Sequence, residues 1–239
     1  MSEGQKFEIP PKSHEPQSVE ALLEKGEIES EKELEGYWGM RLIEIKDDGD
    51  AFFRPDKETD FMFEAKGMDI SRSDLELMAY KIDQILEFNL VPAVVNRPVG
   101  NLKGSLQRRI QNFQVPPMDW ETKVGLEEIT RAAVFDYILD VTDRHHGNFL
   151  IDSDDHKLWL IDHDSDMFFG GLTGSRIIEK AKEKGLTTLG TKEVASLERF
   201  LAQVDSLVVD AKPEIVEIIK KAQDRARILL KEGQIPTTI

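Results

Sequence analysis

The chain of 239 residues contains no cysteine. That absence excludes a disulfide framework, a cysteine-built zinc site and a thiol nucleophile, and it leaves the redox compartment unread. Apolar runs long enough to span a bilayer are missing, as is the pattern of a targeting segment, so no transmembrane segment and a cytoplasmic location are expected. Positive charge is scarce: 31 Lys and Arg stand against 46 Asp and Glu, for a formal net charge of -15. Such a surface repels phosphodiester backbones and anionic lipid, and nucleic acid is not an expected partner. Neither GxxxxGK[ST] nor GxGxxG occurs, so the chain has no Walker loop and no dinucleotide fingerprint.

Hydrophobic residues make up 40% of the chain, enough for a sizeable core, and its length suits one domain or two lobes of one. Residues 1–17 are polar with three prolines and are expected to form a flexible lead-in. A short helix follows from Ser18 and stops at Gly26. Candidate strands then run over Met40 to Ile45 and Ala51 to Arg54, separated by the hairpin signal DDG, with a weaker one over Glu27 to Glu33. Leu75, Met78, Ile82, Ile85 and Leu86 recur at helical spacing, and "LVPAVVNR" and "GSLQRRI" supply further strands. The expectation is a β-rich unit with one main helix over 18–115, followed by a helical unit over 116–239. The second contains an apolar stripe from Leu126 to Val141 and helices at about 175–184, 191–208 and 213–232.

Chemistry concentrates in "DVTDRHHGNFLIDSDDHKLWLID", residues 140–162, where a helix gives way to a hairpin. Asn148 precedes the first strand of that hairpin and Asp162 follows the second, so both lie at its open end, where paired Cα atoms are about 5 Å apart. An amide oxygen and a carboxylate are hard ligands, suited to Mg²⁺ completed by water and phosphate. Asp143 stands five residues before Asn148, the spacing that in protein kinases separates the catalytic-loop Asp from a metal-holding Asn, with a later Asp completing the metal site. The bland alternative is that Asp, Asn, Gly and His here only form turns and caps. The intervening "DSDDH" reads as a solvated hairpin turn, since it lacks the glycine and glutamate of a calcium loop.

The segment "TDRHHGNFLIDSDDHKLWLID" resembles the catalytic loop and metal-binding segment of phosphoinositide 3/4-kinase-like enzymes, with their DRHxxN, hairpin and IDxx. It is also similar to a wider group of atypical kinases that includes small bacterial members and secretory-pathway protein kinases. Arg144 follows the catalytic-type Asp in this group, whereas ordinary protein kinases carry an Arg before it. The resemblance implies an α+β, two-lobed kinase-like fold with ATP and Mg²⁺ as cofactors. It implies Asp143 as the catalytic residue facing the acceptor hydroxyl, His145 beside the transferring group, and Asn148 and Asp162 as metal ligands. By the same resemblance Arg54 takes the place of the phosphate-gripping strand lysine, Glu76 is its ion-pair partner on the helix, and Gln107 lies near the nucleotide hinge. Gly36 and Gly39 fall where a phosphate-covering loop belongs.

Two features set the chain apart from that pattern: an arginine in place of the lysine, and only two glycines in the loop. They leave open a nucleotide- or partner-binding domain that transfers no phosphate. A metal-dependent phosphohydrolase built on His145, His146 or His163 is a third reading. "SDLE", 73–76, also matches a capping box, which competes with ion pairing for Glu76. "GGLTGS", 170–175, reads as an anion nest or as a connector. The acceptor is expected to be a hydroxyl on a protein or small molecule. "DHDSDMFFGGLTGSR" carries three acids before its first basic residue, a poor match for an anionic lipid headgroup.

Overall fold

The computed structural model describes residues 18–35, 39–46, 49–56, 67–114, 116–163 and 174–236. The first of two sheets has five antiparallel strands: β1 (Ile28–Glu33), β2 (Arg41–Ile45), β3 (Gly49–Pro55), β4 (Val94–Asn96) and β5 (Gly104–Arg108), in the order β1-β2-β3-β5-β4. Cross-strand pairs Ile43↔Ala51 and Phe53↔Leu106↔Val95 put a buried apolar row on one face, with Leu23 of α1 (Val19–Lys25) packed into the same cluster. Strand side chains alternate, so Leu42, Phe52, Arg54, Ser105, Gln107 and Val94 share the opposite face. Val94 there joins the larger core that includes the second half of the chain.

Helix α2 (Arg72–Leu86) packs against that second face. Ser71 caps it by accepting from Asp74 N, while Asp74 reaches back to Ser71 N. The capping box is therefore Ser71 with Asp74, two residues before the Ser73 and Glu76 alternative, and Glu76 is left for other partners. Gly104 opens β5 where a Cβ would stand 2.2 Å from the Arg54 carbonyl oxygen and 2.8 Å from the Phe53 ring. Only glycine permits β3 and β5 to close at that point.

Helix α3 (Leu126–Leu139) runs through the larger core, with Ile129, Ala132, Ala133, Val134, Phe135, Ile138 and Leu139 all buried. A helix apolar around most of its circumference belongs in the interior. It leads into a three-stranded antiparallel sheet, β6-β7-β8, of Phe113–Gln114, Phe149–Asp152 and Leu158–Leu160. The two-residue strand β6, which carries no alternating pattern of its own, is a strand that sequence patterning did not supply. The helices α4 (Arg176–Glu183), α5 (Thr191–Gln203) and α6 (Pro213–Glu232) complete the helical part, α6 starting on proline and ending on a left-handed Gly233. Among the described residues no helix is long and apolar enough to cross a membrane.

Candidate functional site

The hairpin of β7 and β8 forms as expected, but its register is one residue short of pairing Asn148 with Asp162. Phe149 pairs with Leu160, and Ile161 N donates to Asn148 O at 3.1 Å, so Asn148 lies opposite Ile161 and next to Asp162 at the open end. The turn at the other end is closed by Asp152 accepting from Asp154 N and Asp155 accepting from Lys157 N, a local use of aspartate that fits a solvated turn. Asn148 is buried, and its Nδ2 donates to the Asp143 carbonyl at 2.9 Å. That bond commits the amide nitrogen, and the amide oxygen is the hard donor of the side chain.

Asp162 adopts the left-handed conformation, with φ of 62°. Its Oδ1 accepts from Arg54 Nη1 at 2.7 Å, and the same nitrogen stands 3.5 Å from Glu76 Oε1. Burial pushes the Asp162 carboxyl up, but the Arg54 charge and hydrogen bond, with His163 and Arg144, outweigh it and hold the group below the ordinary carboxylate value. Three segments thus converge on one guanidinium: β3, α2 and the exit from β8. Glu76, buried on α2, also accepts from His163 N at 3.1 Å. The fully buried His163 ring meets Phe135 edge-on and has Nδ1 3.5 Å from Glu76 Oε2.

The remaining candidates are less central. His145 is exposed, and its Nδ1 accepts from Gly147 N at 2.9 Å, which folds the ring back over its own loop. A Cβ on Gly147 would stand 2.9 Å from that ring. His146 lies against Phe149. Gln107 sits on the Arg54 face of the first sheet, paired across it with Phe52 and Val94. Gly39 has φ of 82° beside Pro55, whereas Gly36 lies outside the described residues, as do 170–173 of the "GGLTGS" stretch. Ser175, its last residue, caps α4.

Missed from sequence was a buried network beneath the loop. Arg144 and Asp136 are both fully buried and ion-paired at 3.0 Å, and Ser175 Oγ donates to Asp136 Oδ2 at 2.7 Å. The available signal was an acid inside an apolar stripe, since Asp136 falls four residues after Ala132 and seven after Ile129.

The donor set fits a magnesium ion better than a transition metal. No group of three or more His, Cys, Asp or Glu able to hold a metal exists among the described residues. His145 accepts from Gly147 N, His146 lies against Phe149, and His163 is fully buried against Phe135, so the three histidines named for a phosphohydrolase centre are not grouped around one point. One amide and one carboxylate match an ion that takes its other ligands from water and phosphate.

The model of the family described as phosphatidylinositol 3- and 4-kinase matches residues 57–173, which include Glu76, Gln107, Asp143, His145, Asn148 and Asp162. No curated protein matches the chain in sequence. Among solved structures, a Golgi casein kinase with Mn/ADP bound is 14% identical, with 87% of this chain and 73% of that chain covered at a TM-score of 0.55. A hydra Fam20 with sugar is 13% identical, with 90% and 88% covered at a TM-score of 0.58. The fold is α+β and protein-kinase-like, with a sheet-bearing N-lobe and a helical C-lobe.

Proposed function

We propose that this chain, a phosphoinositide 3/4-kinase-like member of the atypical kinase superfamily, transfers a phosphoryl group from ATP with Mg²⁺ to a hydroxyl on a protein or small molecule. That it is a kinase-type phosphotransferase rests on the family match and the fold; nucleotide, metal and acceptor are the substance of the proposal. The observation that carries it is the convergence of Arg54, Glu76 and Asp162 from three separate elements, with Asn148 at the same open end of the hairpin, opposite the residue before Asp162.

In this reading Asn148 and Asp162 hold the metal, which when bound neutralises charge on the phosphates. Arg54, already pinned by two carboxylates, turns its guanidinium toward phosphate oxygens, a group it is well shaped to grip. Phe52 and Gln107, on the same sheet face as Arg54, border the nucleotide. Asp143 orients the acceptor hydroxyl and takes its proton, and His145 stands at the loop surface near the incoming group. Transfer of this kind depends on positioning and electrostatics more than on covalent chemistry, so a small set of fixed groups is sufficient. The acidic run from Asp162 onward argues for an acceptor other than an anionic lipid headgroup.

A second reading has a specific observation behind it. Arg54 is hydrogen-bonded to the very carboxylate assigned to the metal, which suits a domain that binds nucleotide without turning it over. Labelled ATP with and without Mg²⁺ separates the two. Transfer to the chain or to acceptor peptides and small alcohols, lost in Asp162→Ala and in Asp143→Asn, supports the kinase. Nucleotide-dependent thermal stabilisation without any transfer supports the alternative. Efficient phosphorylation of phosphoinositide vesicles overturns the assignment of the acceptor.

A further inference from the structure

Arg144 is among the largest fully buried side chains, and its hydrogen bonds have a pattern that an arginine retained only for packing does not require. One nitrogen, Nη1, donates to two backbone carbonyls at once: Asn148 O at 2.8 Å and Ile161 O at 2.7 Å. These two residues face each other across the hairpin mouth, and they are one proposed metal ligand and the residue immediately before the other. The rest of the guanidinium is fixed by Asp136, with Nε at 3.2 and 3.3 Å from its two oxygens and Nη2 at 3.0 Å from Oδ1. Asp136 belongs to the rigid core helix α3 and is itself oriented by Ser175 Oγ. The Arg144 carbonyl in turn accepts from Arg176 N at 3.0 Å, which ties the start of α4 to the same point.

Burying a charge pair is costly, and apolar groups of equal volume commonly serve stability as well. What apolar groups cannot do is hold two carbonyl oxygens at a set separation. We propose that Arg144, oriented by Asp136, is a positioning residue for the metal and nucleotide: its guanidinium fixes the spacing of Asn148 and Asp162 by grasping the backbone at both sides of the hairpin mouth. The proposal rests on the reading of Asn148 and Asp162 as the metal ligands. Groups that orient ligands from behind in this way alter metal affinity when changed, even though they never touch the ion.

The test measures the Mg²⁺ concentration that gives half of the thermal stabilisation produced by saturating ATP. Wild type is compared with Arg144→Lys, with the paired change Asp136→Leu and Arg144→Met, and with Asp162→Ala. The paired change removes both charges together and keeps the volume filled, so it is expected to melt near wild type without ATP. Both Arg144 variants are expected to need about 10–100-fold more Mg²⁺. A purely structural arginine would shift the melting temperature and leave the Mg²⁺ midpoint in place. An unchanged midpoint in the folded paired variant overturns the proposal, and if that variant does not fold, an unchanged midpoint in Arg144→Lys overturns it equally. Should Asp162→Ala keep the wild-type Mg²⁺ response, the assignment of the ligands fails and the positioning role goes with it. Loss of response in Asp162→Ala alone leaves the ligands standing and removes only the role of Arg144.

Discussion

Replacing Asp83 by asparagine should raise stability at neutral pH and leave it unchanged in acid. Asp83 lies two turns along α2 from Glu76 and is only 2% exposed. Its Oδ2 accepts from both Leu90 N, at 2.9 Å, and Val91 N, at 3.0 Å. Leu90 O accepts from Leu160 N at 2.8 Å, so this carboxylate joins the helix bearing Glu76 to the strand that leads to Asp162. Burial drives the Asp83 carboxyl from the ordinary 3.8 up to about 6, against the opposing effect of the two amides, Lys157 and Arg131. Because the folded form holds its proton more tightly than the unfolded chain, the unfolded state binds fewer protons between these values. Stability therefore falls as pH rises from about 4 to about 6 and is level above that. At about 1.4 kcal/mol per pH unit the loss is ~3 kcal/mol, or about 6–12 °C in melting temperature for a domain of this size. Asparagine keeps the shape and an acceptor oxygen but cannot ionise. Melting curves of both proteins over a pH series check this, since other titrations cancel in the difference. A gap between variant and wild type that is flat with pH, or that widens toward acid, would mean that Asp83 does not lose stability by ionising in the folded protein.

Three further outcomes are expected. Asp143→Asn should retain Mg-ATP affinity while transfer falls by about 10²–10⁴-fold, the usual contribution of a positioned base, as read by single-turnover assay with labelled ATP. Arg54→Ala should cost about 1.5–3 kcal/mol in urea unfolding, because it removes a charged hydrogen bond and leaves Glu76 buried, and should weaken nucleotide binding in calorimetry; Arg54→Lys should keep part of both. Gly104→Ala should cost about 1–3 kcal/mol by thermal melting, since its Cβ must displace the backbone of β3 beside Arg54.

The hairpin was legible because its information is local. Polar residues bounding two apolar strands mark the mouth of the hairpin, so Asn148 and Asp162 could be assigned to its open end from spacing alone, but the register, which sets Asn148 opposite Ile161, could not. Helix α6 was equally plain from Pro213 and Gly233. The convergence on Arg54 was not readable in this way. It depends on the pairing of β3 with β5 and on the docking of α2, and Arg54 and Asp162 are 108 residues apart. The resemblance to a family suggested the pairing of Arg54 with Glu76, and nothing in the sequence suggested that Asp162 would join it. Glu76 shows why short motifs mislead: Ser71 with Asp74 and Ser73 with Glu76 both have capping spacing, and the choice between them follows from where the helix starts when it packs. Strand β6 and the Arg144 network lie deeper still, because a two-residue strand and a buried ion pair acquire meaning only from partners supplied by the fold.

Asn148 and Asp162 are proposed to bind a divalent cation jointly when nucleotide is present. Titration of Mn²⁺ into the protein with and without ATP, followed by the electron paramagnetic resonance signal of free Mn²⁺, tests it directly. Nucleotide-dependent uptake is expected in the wild type, sharply weakened in both Asn148→Ala and Asp162→Ala. Uptake that is the same in wild type and in these two variants would contradict it.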